Sequence, residues 1–112
     1  MKLIFKETAI FTKLITQLLS DDEYKELQEY LIERPDIGDI IEGTGGLRKV
    51  RWAVKGSGKS GGVRVIYYWI SDDHQIYMLL VYPKSERDNL TALQKKVLKA
   101  LVNKELQEKA NG

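Results

Sequence analysis

The segment VRVIYYWI (residues 63–70), followed after four residues by QIYMLLVY (residues 75–82), decides the fold class of this chain. Both runs are rich in β-branched and aromatic residues, which favour extended strands. The connection SDDH (residues 71–74) is too short for a crossover, so the two strands are predicted to pair antiparallel. A preceding run, LRKVRWAV (residues 47–54), adds a third strand and predicts an antiparallel meander.

Helices are predicted before and after this meander. Thr8 can cap a first helix whose apolar residues recur at helical spacing. Ser20 and Glu23 form a capping-box pattern that opens a second helix, which ends before Pro35. A last helix is predicted from about Leu90 to the end of the chain. Its inner side is predicted to carry five apolar residues, namely Leu93, Val97, Leu98, Leu101 and Val102.

The complete element order is predicted as β-α-α-β-β-β-α, because residues 3–5 form one more short strand. This order indicates an α+β fold with the helices packed on one face of a mainly antiparallel sheet. Residues 36–46 contain four glycines and are predicted to be an irregular loop. The 112 residues suit a single domain over residues 1–112, with fraying from about residue 105.

Composition excludes several classes of site. The chain has no cysteine, which rules out disulfides, thiolate metal sites and a catalytic thiol. Its single histidine, His74, falls at a predicted turn and is expected to be inert, so we expect neither a metal nor a cofactor. The mean hydropathy is −0.34, and charged residues interrupt the N-terminal apolar stretch, so we expect a cytoplasmic protein without a membrane segment.

The charges are unevenly distributed along the chain, although the net charge is only +2. Residues 1–42 carry ten acidic and five basic groups, whereas residues 43–71 contain no acid. The second stretch holds six cations, which are Arg48, Lys49, Arg51, Lys55, Lys59 and Arg64. Such a block creates a positive field that attracts phosphates. The alternative is a solvated surface whose cations pair with the acidic N-terminal third.

Strand geometry predicts how these cations are arranged. Alternation places Lys49 and Arg51 on one face of their strand and Arg48 on the other. Antiparallel pairing with the next strand can bring Arg64 beside them. We therefore predict a compact cationic site on an uncovered face of the sheet.

The glycine-rich stretch AVKGSGKS (residues 53–60) matches a relaxed phosphate-loop pattern. A phosphate loop leads directly into a helix whose amide groups hold the phosphates, but here a strand follows. We therefore reject nucleotide triphosphate binding and interpret the stretch as a hairpin tip. Its Lys55 and Lys59 can contact a nucleic-acid backbone.

Three stretches carry a resemblance to a known family: GTGGLRKVRWA (residues 43–53), KGSGKSGGVRVIYY (residues 55–68) and LLVYPKSERDNLT (residues 79–91). With them, nearly the whole chain resembles a HigB-type toxin of the RelE/ParE superfamily. The resemblance implies a type II toxin–antitoxin component that cleaves mRNA on the ribosome and so inhibits translation. It also implies a metal-independent endoribonuclease in which the RNA 2′-hydroxyl attacks the adjacent phosphate.

The resemblance also assigns roles to residues. It implies that Arg64 clamps the scissile phosphate and that the catalytic group is Arg64, Lys49, Arg51, Lys84 and Tyr82. A second group is expected to bind RNA or the ribosome, namely Arg48, Lys55, Lys59 and Arg87. Ser85 and Thr91 fall where the family has an arginine and a tyrosine, so the general base and acid stay open. Tyr82 is one residue that can compensate.

The implied partners are the 30S A site of the ribosome, mRNA, and a cognate antitoxin with a helix-turn-helix, of the HigA type. Operator DNA would be contacted only through that antitoxin, and no membrane is involved. Two alternatives stay open because a shared fold does not settle function. One is a ParE-like toxin that binds DNA gyrase without cleaving RNA. The other is a degraded toxin that binds only RNA or its antitoxin.

Overall fold

The computed structural model describes residues 3–54, 62–71, 74–86 and 89–111. The elements are β1 (Ile4–Glu7), α1 (Ala9–Leu18), α2 (Asp21–Glu33), β2 (Asp39–Ile40), β3 (Arg48–Trp52), β4 (Val63–Ile70), β5 (Gln75–Pro83) and α3 (Ala92–Asn111). The predicted α+β class and element order are confirmed. The two-residue strand β2 is an addition, because it lies in the segment that was predicted to be loop only.

Side-chain caps begin the first two helices where the sequence predicted them. The Thr8 hydroxyl accepts a hydrogen bond from the Phe11 N–H at 3.1 Å. Ser20 and Glu23 make both bonds of the capping box, at 3.1 and 2.9 Å. These caps satisfy amide groups that a helix start otherwise leaves unpaired, so α1 and α2 form two separate helices.

The sheet has the strand order β1-β5-β4-β3-β2. β3, β4 and β5 form the predicted antiparallel meander, and β1 adds in parallel to the outer side of β5. The β4–β5 register shifts by one residue between Ile66 and Tyr67, which leaves an extra residue in β5. The shift alters the alternation, so that Leu79 and Leu80 both belong to the core on the α3 side.

The helices cover both faces of the sheet, which differs from the expectation that all of them share one face. The core under α1 and α2 includes Val65 and Met78. The core under α3 includes Ile66 and Leu79, whose side chains point the other way. The physical reason is that β4 and β5 are apolar at almost every position, so each face has to be covered.

Fewer residues of α3 pack against the sheet than the sequence predicted. Leu98 and Val102 are buried against the sheet, as expected. Leu93, Val97 and Leu101 are 69%, 50% and 38% exposed, so their assignment to the inner side was wrong. α3 therefore carries two apolar stripes, of which only one packs on the sheet. Within the described ranges, no helix is both long and apolar enough to cross a bilayer.

Candidate active site

The strand register aligns a row of polar side chains across the middle of the sheet. Arg51 on β3 is the direct partner of Arg64 on β4, and Arg64 is the direct partner of Tyr82 on β5. Direct partners in antiparallel strands point to the same face, so these three side chains share one surface. Lys49 lies on that face too, opposite Ile66. We call Arg51, Arg64 and Tyr82 the cationic row.

The cationic row is covered more than the sequence predicted. Arg51 is exposed, whereas Arg64 is only 2% exposed and Tyr82 only 5%. α3 packs on the same face and shares a core with Tyr82. The Arg64 Nη1 donates to the Val63 carbonyl at 3.5 Å. A guanidinium at this depth acts in a medium less polar than water, where its field on a nearby anion is stronger.

Lys49 is oriented by the connection between β5 and α3. Its Nζ donates to the Asn89 Oδ1 at 3.0 Å. This bond places the segment before α3 beside the cationic row and fixes the direction of the ammonium. The sequence reasoning did not single out Asn89, because no spacing or motif distinguishes it from other loop asparagines.

Lys84 lies immediately after β5 and is exposed. Its backbone N–H donates to the Gly62 carbonyl at 3.1 Å, which ties the end of β5 to the start of β4. Gly62 has a φ of +75°, and an added Cβ would lie 2.1 Å from the Trp52 carbonyl oxygen. Only glycine fits there, so the chain holds Lys84 at the same end of the sheet as Arg64.

Arg48 lies on the opposite face, as strand alternation predicted. Its Nη1 donates to the carbonyls of Asp36 and Gly38 at 3.0 and 2.8 Å. The Tyr67 hydroxyl donates to the Pro35 carbonyl at 2.7 Å and accepts from the Gly38 N–H at 2.9 Å. Together these bonds hold the loop after α2 against the sheet. Arg48 is thus separate from the cationic row, and its contact with RNA stays a prediction.

The remaining candidate residues lie outside the row or outside the described residues. Ser85 is exposed in the turn after β5. Thr91 caps α3: its hydroxyl accepts from the Gln94 N–H at 3.1 Å, and its own N–H donates to the Gln94 Oε1 at 2.9 Å. His74 is exposed at a turn with φ of +52°. Lys55, Lys59 and Arg87 lie outside the described residues.

The row can stabilise negative charge and can donate protons. Two guanidinium groups and a phenol meet there, and one ammonium lies on the same face. Arginine presents a fixed fork of donors that fits a phosphate. Among the described residues, no group of His, Asp or Glu side chains is arranged to hold a metal ion. The guanidinium groups and the ammonium on this face suit charge stabilisation at a phosphate.

Comparisons with known proteins agree with this fold and place the chain in a family. The isolated RelE toxin of E. coli has 16% identity and a TM-score of 0.56, covering 89% of this chain and 99% of that one. The intact E. coli RelBE toxin–antitoxin complex has 18% identity and a TM-score of 0.55, covering 71% and 94%.

An archaeal RelE–RelB complex from Pyrococcus horikoshii OT3 is also similar in structure. It has 25% identity and a TM-score of 0.52, covering 78% of this chain and 100% of that one. The model of one protein family, described as "RelE toxin of RelE / RelB toxin-antitoxin system", matches residues 2–111. Because this match spans almost all of the sequence, the chain belongs to the RelE toxin family of toxin–antitoxin systems.

Proposed function

We propose that this protein is a ribosome-dependent mRNA endoribonuclease that arrests translation and acts without a metal ion. The cationic row is the observation that supports the proposal, because two arginines and a tyrosine stand side by side on one face of the sheet. The RelE family match supports the same activity. No observation on the described residues favours the ParE-like alternative.

The proposed reaction transfers a phosphoryl group within the RNA. The 2′-oxygen forms a bond to the adjacent phosphorus, and the bond from phosphorus to the 5′-oxygen breaks. The upstream fragment then ends in a 2′,3′-cyclic phosphate, and the downstream fragment ends in a 5′-hydroxyl. The 2′-hydroxyl has to lose a proton and the leaving 5′-oxygen has to gain one. Negative charge builds on the phosphate between these events, so fixed cations accelerate the step.

The burial of each side chain suggests its role. Arg51 is exposed and would contact the phosphate directly, a role that the resemblance had implied for Arg64. Arg64, at 2% exposure, stabilises the same charge from beneath. Tyr82 is a candidate donor to the leaving oxygen, and Lys49 and Lys84 add positive charge at the two edges of the row.

The wider assignments from the sequence remain part of this proposal. Arg48, Lys55, Lys59 and Arg87 would bind RNA or the 30S A site of the ribosome. A cognate antitoxin of the HigA type, with a helix-turn-helix, would hold the toxin inactive and would alone contact operator DNA. The toxin would act in the cytoplasm. The related structures from E. coli and Pyrococcus horikoshii OT3 are complexes of RelE with RelB, which supports pairing with an antitoxin.

The decisive experiment is a translation reaction with purified ribosomes and one defined mRNA. New 5′ ends are mapped by primer extension, and their chemistry is tested by direct labelling with polynucleotide kinase, which needs a 5′-hydroxyl. The protein, its Arg51→Ala variant and its Lys13→Ala variant are compared. Lys13 is an exposed cation on α1, on the other side of the sheet, and serves as the matched control.

We expect cuts within A-site codons, 5′-hydroxyl ends, and a requirement for ribosomes. Removing one preorganised donor at a developing charge typically lowers the rate by about 100-fold, which is the loss expected for Arg51→Ala and not for Lys13→Ala. Ends carrying a 5′-phosphate would contradict the 2′-hydroxyl mechanism. Intact mRNA together with gyrase-linked DNA damage in cells would replace the proposal with the ParE-like alternative.

A further inference from the structure

A side of α3 that flanks its buried face carries an apolar stripe that no described residue covers. Leu93, Val97 and Leu101 follow one another at intervals of four residues, which places them on one line along the helix. Their exposures are 69%, 50% and 38%. We call these three residues the α3 stripe. Scattered exposed leucines are ordinary, but three on one line form a continuous apolar patch.

A groove runs beside the α3 stripe. It has a volume of about 250 Å³ and is lined by Leu80, Leu93, Gln94, Val97 and Leu98. Leu80 comes from β5, so the groove lies between the sheet and the helix. Ridges and grooves of this kind accept the side chains of a second helix, which presents apolar residues at intervals of three and four.

The charged residues beside the α3 stripe indicate which charges a partner of this surface would carry. Residues 92–104 contain four lysines and no acidic residue, whereas Glu105 and Glu108 lie beside Leu101 at the far end of the stripe, with Glu105 in an ion pair with Lys6. Lys96 follows Leu93 by three positions and Lys104 follows Leu101 by three, so both border the stripe. A second copy of this chain would bring lysines against lysines, which disfavours self-association through this surface. An apolar helix flanked by carboxylates complements it.

We propose that the α3 stripe is the docking surface for an acidic amphipathic helix of the antitoxin. The proposal rests on the antitoxin pairing in the proposed function, and adds the surface and the chemistry of the segment that binds it. Leucine or isoleucine side chains of that helix fill the groove over Leu80, and its carboxylates pair with Lys96 and Lys104. The apolar anchors supply most of the affinity, and the charges fix orientation.

Docking at this surface would also regulate the active site. The groove shares Leu80 and Gln94 with a neighbouring cavity of about 200 Å³, which Tyr82 and Glu86 also line. A helix bound on the α3 stripe therefore lies next to the β5 end of the cationic row. Its carboxylates repel RNA phosphates there, and its bulk occupies the approach to Tyr82. Inhibition follows without any change in the row itself.

The test uses the toxin over residues 1–112 and the purified product of any short reading frame that adjoins its gene. Binding is measured by calorimetry for the unaltered toxin, for Leu93→Ser/Val97→Ser and for Ile10→Ser. Ile10 is 47% exposed on α1 and is the matched control for lost apolar surface. A Lys96→Glu/Lys104→Glu variant tests the charges, and ribosomal mRNA cleavage is measured for each protein with and without the antitoxin.

We expect Leu93→Ser/Val97→Ser to weaken antitoxin binding by about 100-fold, as loss of central interface anchors does, while Ile10→Ser stays within about twofold. The Leu93→Ser/Val97→Ser toxin keeps its cleavage activity, but the antitoxin no longer inhibits it. Lys96→Glu/Lys104→Glu weakens binding and reduces its dependence on salt.

Equal binding and inhibition of the Leu93→Ser/Val97→Ser toxin would overturn the proposal. So would loss of toxin self-association in that variant, seen by analytical ultracentrifugation, because the occupant would then be a second copy. If the neighbouring protein binds no form of the toxin, the docking proposal fails together with the antitoxin pairing. Failure of the nuclease proposal would look different. Neither the unaltered toxin nor any variant would then cleave mRNA, but the calorimetry would still test the docking surface.

Discussion

Arg51 and Arg64 lie directly opposite each other on β3 and β4, so two positive side chains occupy neighbouring places on one face of the sheet. Like charges at opposed positions destabilise an antiparallel pair by up to about 1 kcal/mol. Arrangements that cost stability are typical of functional sites. The exposed side chain of Arg51, which adds a second positive charge opposite the buried Arg64, fits this pattern.

Replacing Arg51 by glutamine should separate stability from activity. We expect Arg51→Gln to raise the free energy of unfolding by about 0.5 kcal/mol, because it removes one of two like charges while leaving the exposed position polar. Ribosomal mRNA cleavage should fall at the same time. Urea unfolding and primer extension measure the two effects, with Lys25→Gln on α2 as the control. A loss of stability in Arg51→Gln would show that the guanidinium supports the fold.

Asn89 should act as a positioning residue for Lys49. Its Oδ1 accepts the Lys49 Nζ at 3.0 Å, and a hydrogen bond to a charged group is worth about 1.5–3 kcal/mol when well protected. Because this pair is exposed, we expect Asn89→Ala to slow single-turnover cleavage by only about threefold to tenfold. Asn89→Asp keeps an acceptor and should restore the rate.

The salt dependence distinguishes this role from a merely structural one. A carboxylate at position 89 places a negative charge beside the Lys49 ammonium, and salt screens this exposed attraction. If Asn89 acts by holding Lys49, the Asn89→Asp toxin matches the unaltered toxin at low salt and falls below it as the salt concentration rises. Equal losses in both variants, with no such effect of salt, would assign Asn89 to the fold alone.

Much of this architecture follows from local sequence signals. The runs of β-branched and aromatic residues set β4 and β5, and Thr8, Ser20 and Glu23 set two helix starts through hydrogen bonds that involve near neighbours only. The alternation of β3 also placed Lys49 and Arg51 on one face and Arg48 on the other. Signals of this kind act over a few residues, and tertiary packing did not override them.

The features that the sequence did not predict depend on which surfaces pack against each other. Local sequence patterns do not contain this information. α3 has apolar residues on two sides, and the sequence does not say which side packs; the structure buries Leu98 and Val102 and exposes Leu93. The bond between Lys49 and Asn89 joins residues 40 positions apart, so no local pattern contains it.

Gly62 should tolerate no side chain. Alanine at a φ of +75° costs about 1–2 kcal/mol from backbone strain alone, and here its Cβ would also meet the Trp52 carbonyl oxygen at 2.1 Å. We expect Gly62→Ala to lower the free energy of unfolding by about 3 kcal/mol or more. Gly43→Ala is the matched control, since Gly43 has a φ of +77° with nothing within 4 Å of an added Cβ. Equal losses in the two variants would show that the close contact relaxes.

Thr91 should matter for stability rather than for cleavage. Its reciprocal hydrogen bonds with Gln94 begin α3, and loss of such a cap costs about 1 kcal/mol. We expect Thr91→Ala to lower the thermal midpoint by a few degrees, with Thr91→Ser close to the original protein. Cleavage rates below the unfolding transition should be equal for all three. A rate loss in Thr91→Ala without loss of stability would give the Thr91 hydroxyl a role in the reaction.

The free energy of unfolding should decrease at alkaline pH because several tyrosine side chains are buried in the folded chain. Burial first, and a hydrogen bond to the Glu7 carboxylate second, raise the pKa of Tyr24 well above its ordinary value. Burial also raises the pKa of Tyr67 and of Tyr77. The folded chain therefore keeps phenol protons that the unfolded chain loses near pH 10, at about the ordinary tyrosine pKa. Stability is complete below that pH and decreases as the pH rises above it.

Tyr24→Phe isolates the largest of these contributions. At pH 8 the variant should be less stable, because the Glu7 carboxylate loses the Tyr24 donor, although it keeps the Thr12 hydroxyl at 2.6 Å. Between about pH 10 and pH 11 its stability should fall less steeply than that of the unaltered protein, since one phenol no longer titrates on unfolding. Urea unfolding across this range measures both effects. Parallel curves for the two proteins would mean that Tyr24 loses its proton as readily in the folded chain as in the unfolded one, and that the contact with Glu7 does not hold it.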